Sequence, residues 1–261
     1  MQEETIEVRG HKLRCLQAGS GPTVLYLHGF GGLTESPLLQ RLCENHQVLA
    51  TEHPGFGPSG LPDWMMGISD LAFFYLDLLE TLDLTDIHLV GHAVGGWIAA
   101  EVAIRSTARL KSVALLAPAG VVVPDVSIAD IFLANAADMV RRQVHDPDAP
   151  ATAAWIAAEL ARPIDHVLLN RAALARIGWS PRLHNPQLAY WLHRIGVPTL
   201  VVWGEDDRVI PFACHGPYLE TIAGAKLMAL PRTGHALHVE RAGEIAECLN
   251  AFHLVPRFRS S

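Results

Sequence analysis

Short, nearly continuous apolar runs bounded by glycine, proline or polar residues recur along the chain. Stretches with apolar residues at helical spacing separate them. Thr23–His28, Gln47–Thr51, Ile87–Val90, Leu110–Leu116, Thr199–Trp203 and Lys226–Leu230 are runs of the first kind. Their length predicts strands, and Thr23–His28 and Gln47–Thr51 read as buried on both faces, as in a parallel sheet. Thr5–Arg9 and Leu13–Leu16, disposed around Gly10, predict a hairpin ahead of them. Helices are predicted from Ser69 to Leu82, with Ser69 as N-cap, from Gly95 to Ile104, and from Ala242 to Phe252. Strands alternating with helices imply an α/β fold, a mostly parallel central sheet with helices on both faces.

One segment breaks the alternation. Between Pro118 and about Tyr190 no strand pattern occurs, but Ile128–Val144, Thr152–Ala161 and Ile164–Ala175 carry helical patterns rich in Ala, Leu and Ile. This reads as a helical lid over the sheet edge, dividing the chain into core 1–118, cap 119–190 and core 191–256. Residues 257–261 have no pattern and read as an appended tail.

Composition narrows the function classes. Half of the residues are hydrophobic and 18% charged, which suits a large core and argues against disorder. A net charge of −7 with no basic run argues against nucleic acid. No apolar stretch reaches the ~20 residues needed to cross a bilayer, and the start has no signal-peptide pattern. The expectation is therefore a cytoplasmic protein without membrane attachment. Cys15, Cys43, Cys214 and Cys248 are dispersed and read as free, mostly buried thiols. Clustered Cys/His spacing is absent, so no metal site is expected, and the reaction inferred below implies no organic cofactor.

The chemistry gathers at the carboxyl ends of predicted strands. Gly91-His-Ala-Val-Gly95-Gly96 joins a strand to a helix in the setting of a nucleophile elbow, G-x-S-x-G, but Ala93 occupies the central place. His28-Gly-Phe-Gly-Gly32 follows another strand, and its backbone suits an oxyanion hole formed by the Phe30 and Val94 amides. Gly204-Glu-Asp-Asp207 and Gly234-His235 end two later strands. The order of nucleophile position, acid, histidine separates this arrangement from triads on other folds.

Together with Pro54-Gly-Phe-Gly-x-Ser, these motifs resemble the bacterial α/β-hydrolases of the lid-bearing esterase and lactonase type along essentially the whole chain. The resemblance selects Asp207 as acid, with Glu205 and Asp206 as alternatives, and His235 as base, with His238 second. It gives His28 and His92 supporting roles. It implies a serine hydrolase that cleaves a carboxylic ester or lactone of a moderately hydrophobic small molecule through an acyl-enzyme. A C–C hydrolase of ring-fission products is the alternative, though such enzymes usually carry Asn where His92 stands.

Alanine offers no attacking oxygen. Three explanations stand: a Ser→Ala replacement that silences an enzyme, a natural ligand-binding protein without activity, or a relative that uses an aspartate nucleophile. The intact Asp207, His235 and elbow glycines favour the first. Val94 disfavours the third, because aspartate-nucleophile relatives typically have Trp or Arg there. Candidate pocket residues are Trp64, Phe132, Met139, Trp155 and Trp179, with Met65 beside Trp64.

Overall fold

The computed structural model describes residues 1–253. The tail read at 257–261 lies outside the described residues, as do the last three of the second core segment. Strands β1 (Gln2–Val8) and β2 (His11–Ala18) form the hairpin, pairing Val8 with His11 across a turn in which Arg9 and Gly10 both have positive φ. Then follow β3 (Thr23–Leu27), α1 (Pro37–Leu42), β4 (Gln47–Thr51), α2 (Ile68–Thr81), β5 (Ile87–His92), α3 (Val94–Arg105) and β6 (Leu110–Leu116).

Four helices stand between β6 and the next strand: α4 (Ala136–Arg142), α5 (Pro150–Leu160), α6 (Ile164–Gly178) and α7 (Leu188–Trp191). The chain closes with β7 (Thr199–Gly204), α8 (Gly216–Thr221), β8 (Lys226–Leu230), α9 (Leu237–Glu240) and α10 (Ala242–His253).

The eight strands form one sheet in the order β1-β2-β4-β3-β5-β6-β7-β8. β1 and β2 run antiparallel to their neighbours, and every pairing from β4 to β8 is parallel. Every residue of β5 and β7 is buried, as is nearly every residue of α3, which accounts for the unbroken apolar runs. The carboxyl ends of β3, β5 and β7 therefore open onto one edge, where the insertion between β6 and β7 also packs. The two ends of that insertion meet, with the Gly120 amide donating to the Leu183 carbonyl at 3.1 Å and the Asn185 amide to the Gly120 carbonyl at 2.9 Å.

Two sequence expectations need correction. The helix predicted over 128–144 is confined to Ala136–Arg142. The Asp130 carboxylate accepts from the Phe132 and Leu133 amides, and Asn135 caps α4 through the Ala137 amide, so polar side chains hold the preceding stretch in turns. Ser69 is not the N-cap of α2. The helix starts at Ile68, its leading amides at Met66 and Gly67 donate to Asp70, and the Ser69 hydroxyl accepts from Arg105.

Candidate active site

The turn between β5 and α3 is held from both sides. The Ala93 amide donates to the Leu116 carbonyl at 2.9 Å, and the Ala93 carbonyl accepts from the Trp97 and Ala119 amides. The backbone of Ala93 sits at φ 52°, ψ −113°, a strained conformation for a residue with a side chain. Its neighbours must be small. A Cβ on Gly91 would lie 2.3 Å from the Gly95 carbonyl oxygen, and one on Gly95 would lie 2.1 Å from that of Leu27.

Asp207 follows β7 and His235 follows β8. One carboxylate oxygen of Asp207, Oδ1, accepts from the Val209 and Ile210 amides at 2.8 Å each. The other, Oδ2, accepts from His235 Nδ1 at 2.7 Å, and both side chains are wholly buried. Nδ1 therefore carries the proton when the ring is neutral, and Nε2 is the basic atom. Nε2 is buried with no hydrogen-bond partner among the described residues. Glu205 is exposed and Asp206 pairs with His145 at 2.7 Å, so Asp207 alone of the three acids meets His235.

The Gly29–Gly32 turn lies against the elbow. A Cβ on Gly29 would stand 3.3 Å from the Ala93 Cβ and 2.9 Å from His92 Nδ1. A pair of neutral histidines fixes the start of this turn. His28 Nε2 accepts from the His53 amide, and His53 Nε2 donates to the His28 carbonyl, each at 2.9 Å. Burial pushes the His53 pKa down to about 4 and that of His28 well below its usual value. The Phe30 ring stacks on His235 with centroids 6.0 Å apart. The Phe30 and Val94 amides make no hydrogen bond to the described residues.

His92 Nε2 donates to the His235 carbonyl at 3.0 Å, while its ring lies 4.5 Å from that of His238. Burial first, then the neighbouring histidines, drives the His92 pKa well below normal. Burial and His235 bring His238 down to about 3, so it is a neutral wall residue at ordinary pH.

Beside the elbow lies a cavity of about 200 Å³, bounded below by the Gly29–Gly32 turn, His92 and His238 and above by the insertion. Of the predicted pocket residues, Met139 and Trp155 line it. Trp64, Phe132 and Trp179 do not. Trp64 is largely exposed beside His11, and Phe132 packs on Trp179 with the Arg182 guanidinium over both rings. Met65 is a core residue. Apolar bulk selected them, and bulk does not separate a cavity wall from a packing site. Sequence reasoning missed Arg162 and Asn170, which both donate to the Gly31 carbonyl, at 2.5 and 2.8 Å. Asn170 also accepts from the Gly57 amide at 2.8 Å, and Arg162 pairs with Glu159. No motif marks them, because their partners are backbone groups more than 100 residues away in sequence.

All four thiols are free. No group of three or more metal-ligating side chains among the described residues is placed to hold an ion, and no described helix is long and apolar enough to cross a membrane.

Residues 24–248 match the sequence profile of the alpha/beta hydrolase family. The chain belongs to this family. Among curated members of the alpha/beta hydrolase family and its relatives, a protein of Pseudomonas savastanoi named "Putative carbamate hydrolase RutD" is 29% identical over 88% of this chain and 92% of its own. The dihydrolipoyllysine-residue acetyltransferase component of the acetoin cleaving system of Pseudomonas putida is 28% identical over 94% of this chain, which spans 68% of that protein's length. This chain spans 65% of the length of the corresponding Cupriavidus necator protein. Among solved structures, a serine hydrolase involved in carbazole degradation, the CarC enzyme, superposes with a TM-score of 0.82 at 22% identity, covering 96% of this chain and 98% of that one. The chain thus has the alpha/beta hydrolase fold of this family.

Proposed function

We propose that this chain is built as a serine hydrolase for a carboxylic ester or lactone of a moderately hydrophobic small molecule, and that Ala93 stands where a serine nucleophile completes the site. One observation carries this reading. A buried acid–histidine pair is aligned through Nδ1 while the opposite nitrogen, Nε2, has no partner. In a Ser-His-Asp set that partner is the serine hydroxyl.

With serine at 93, Nε2 of His235 accepts the hydroxyl proton as the oxygen attacks the acyl carbonyl, and Asp207 stabilises the imidazolium that forms. The Phe30 and Val94 amides receive the developing oxyanion. His235 then passes its proton to the leaving alkoxide, and water cleaves the acyl-enzyme by the same steps. The insertion serves as a lid whose Met139 and Trp155 give the cavity an apolar wall. Without the nucleophile, turnover falls by about 10⁶, or roughly 8 kcal/mol of transition-state stabilisation.

The RutD relatives make carbamates part of the substrate question, since a carbamate carbonyl uses the same groups. A C–C hydrolase is the second reading. It is supported by a 24% identical 2-hydroxy-6-oxo-6-(2'-aminophenyl)hexa-2,4-dienoic acid hydrolase of Metapseudomonas resinovorans and opposed by His92 in place of Asn.

Ala93→Ser, assayed beside the present chain on activated esters, lactones, carbamates and a ring-fission dienoate, tests these readings. Turnover on esters or lactones that vanishes again with His235→Gln is the expected result. Turnover confined to the dienoate supports the second reading. Tight binding of the same compounds with no turnover in either form overturns both and leaves a ligand-binding protein.

A further inference from the structure

Three of the contacts that hold the loop around His235 bear directly on its position, and only one of them, outside the pair with Asp207, belongs to an acidic side chain. The Ala236 amide donates to the Gln143 carbonyl at 2.7 Å, and the His235 carbonyl accepts from His92. The third point is Glu240, at the end of α9. Its Oε2 accepts from the Gly234 amide at 2.7 Å, immediately before His235, and its Oε1 accepts from the His145 amide at 2.8 Å. His145 lies between α4 and α5, two residues beyond Gln143, which lines the cavity. There is no slack here, because a Cβ on Gly234 would lie 2.5 Å from the Gln143 carbonyl oxygen.

We propose that Glu240 is a positioning residue for His235, a carboxylate that clamps the backbone just before His235 to the insertion at His145. The proposal rests on the reading of Asp207 and His235 as acid and base. Two amides donate to two different oxygens of one carboxyl group, and these bonds favour the ionised form against burial, which pushes the Glu240 pKa up. A carboxamide presents one oxygen and one NH₂, so one amide is left facing a donor. The clamp also gives cavity contents a route to the base. A ligand pressing on Met139 or Gln143 bears on the segment that Glu240 holds to His235.

The clamp is tested first in the chain as it stands, by the proton resonance of His235 Nδ1–H and the titration of its ring, assigned by their disappearance in His235→Gln. Glu240→Gln is compared with Glu52→Gln, which alters another buried carboxylate whose contacts are with Ser59 and Arg14. The expected result is a shifted or exchange-broadened Nδ1–H line and a displaced His235 titration in Glu240→Gln only. Glu240→Asp, which keeps the charge but is too short to reach both amides, behaves likewise and serves where the Gln variant does not fold. In the Ala93→Ser background the same substitutions lower kcat by about 10²-fold with KM little changed. An unchanged His235 line and titration in both Glu240 variants overturns the proposal, even if their thermal midpoints fall as in Glu52→Gln. If Ala93→Ser has no turnover, the serine hydrolase reading fails and the resonance alone decides the clamp.

Discussion

Replacing Gly95 by alanine puts the geometry of the elbow to a test that needs no substrate. In most helices the change is favourable by about 1 kcal/mol, because alanine restricts the unfolded chain and suits the helix. Here the new Cβ would sit 2.1 Å from the Leu27 carbonyl oxygen and 2.5 Å from that of His28. Carbon and oxygen in ordinary contact stand about 3.3 Å apart, so α3 and β3 must separate by about 1 Å. Neither yields easily. β3 is hydrogen-bonded on both sides within the sheet, and α3 is buried along nearly its whole length.

Overpacking of this kind costs about 3 kcal/mol or more, which outweighs the propensity gain and leaves a net loss of at least about 2 kcal/mol. For a chain of this size that lowers the thermal midpoint by about 4–8 °C and the urea midpoint by roughly 1 M. Gly243→Ala in α10 is the matched control, since its Cβ meets nothing within 4 Å, and it is expected to be neutral or up to about 1 kcal/mol stabilising. Urea and thermal unfolding of the two variants beside the parent measure the difference. Equal midpoints for both would refute the claim that close approach, rather than habit of sequence, requires glycine at 95.

Asp207→Asn keeps an acceptor for the Val209 and Ile210 amides but turns an NH₂ group toward His235 Nδ1. With serine at 93 it is expected to lower kcat by about 10⁴ by favouring the wrong tautomer, and steady-state kinetics at pH 7 check this. Acid should weaken the fold through its buried neutral histidines. His53 and His238 have folded pKa values of about 4 and about 3, below the unfolded value near 6.5, so the unfolded chain binds more protons as pH falls through this range. Their contribution is complete above pH 6.5 and declines between pH 6.5 and about 4, by about 1.4 kcal/mol per pH unit for each histidine. Urea midpoints across that range measure the loss, and native imidazole resonances of His53 that titrate near 6.5 would contradict it.

The strands and the elbow were legible because their signals are local. A parallel strand buried on both faces leaves an unbroken apolar run, as in Val24–Leu27 and Thr199–Trp203, and the elbow glycines form a compact motif along the chain although Gly95 answers to a contact with β3. The insertion was legible only as helical content. Turn-forming Asp130 and Asn135 outcompeted the apolar pattern over 128–135, because a side-chain oxygen can satisfy amides that a helix would otherwise have to pair. The cavity wall was half legible. Met139 and Trp155 face it, whereas Trp179 and Phe132 pack on each other beneath Arg182, a choice made by tertiary packing. Glu240 and Asn170 gave no signal because each binds backbone amides or carbonyls, and any residue supplies those. The pairing of the His46 and His253 side chains gave no signal either, because no local pattern links residues 207 positions apart.

The Gly31 carbonyl has a consequence in the order of assembly. Its two donors, Arg162 and Asn170, come from 131 and 139 residues further along the chain, and the amide of Gly57 waits for the same Asn170 across 113 residues. Pairing β3 with β4 and β5 closes shorter loops than these, so the Gly29–Gly32 turn gains its distant restraints only with the insertion in place. The turn is thus held from two sides, by the His28–His53 pair next to the sheet and by Arg162 and Asn170 of the insertion, so opening the insertion removes half of its restraints. Loosening of the insertion would therefore reach the Gly29–Gly32 backbone directly, through bonds to residues that lie far beyond it in the chain.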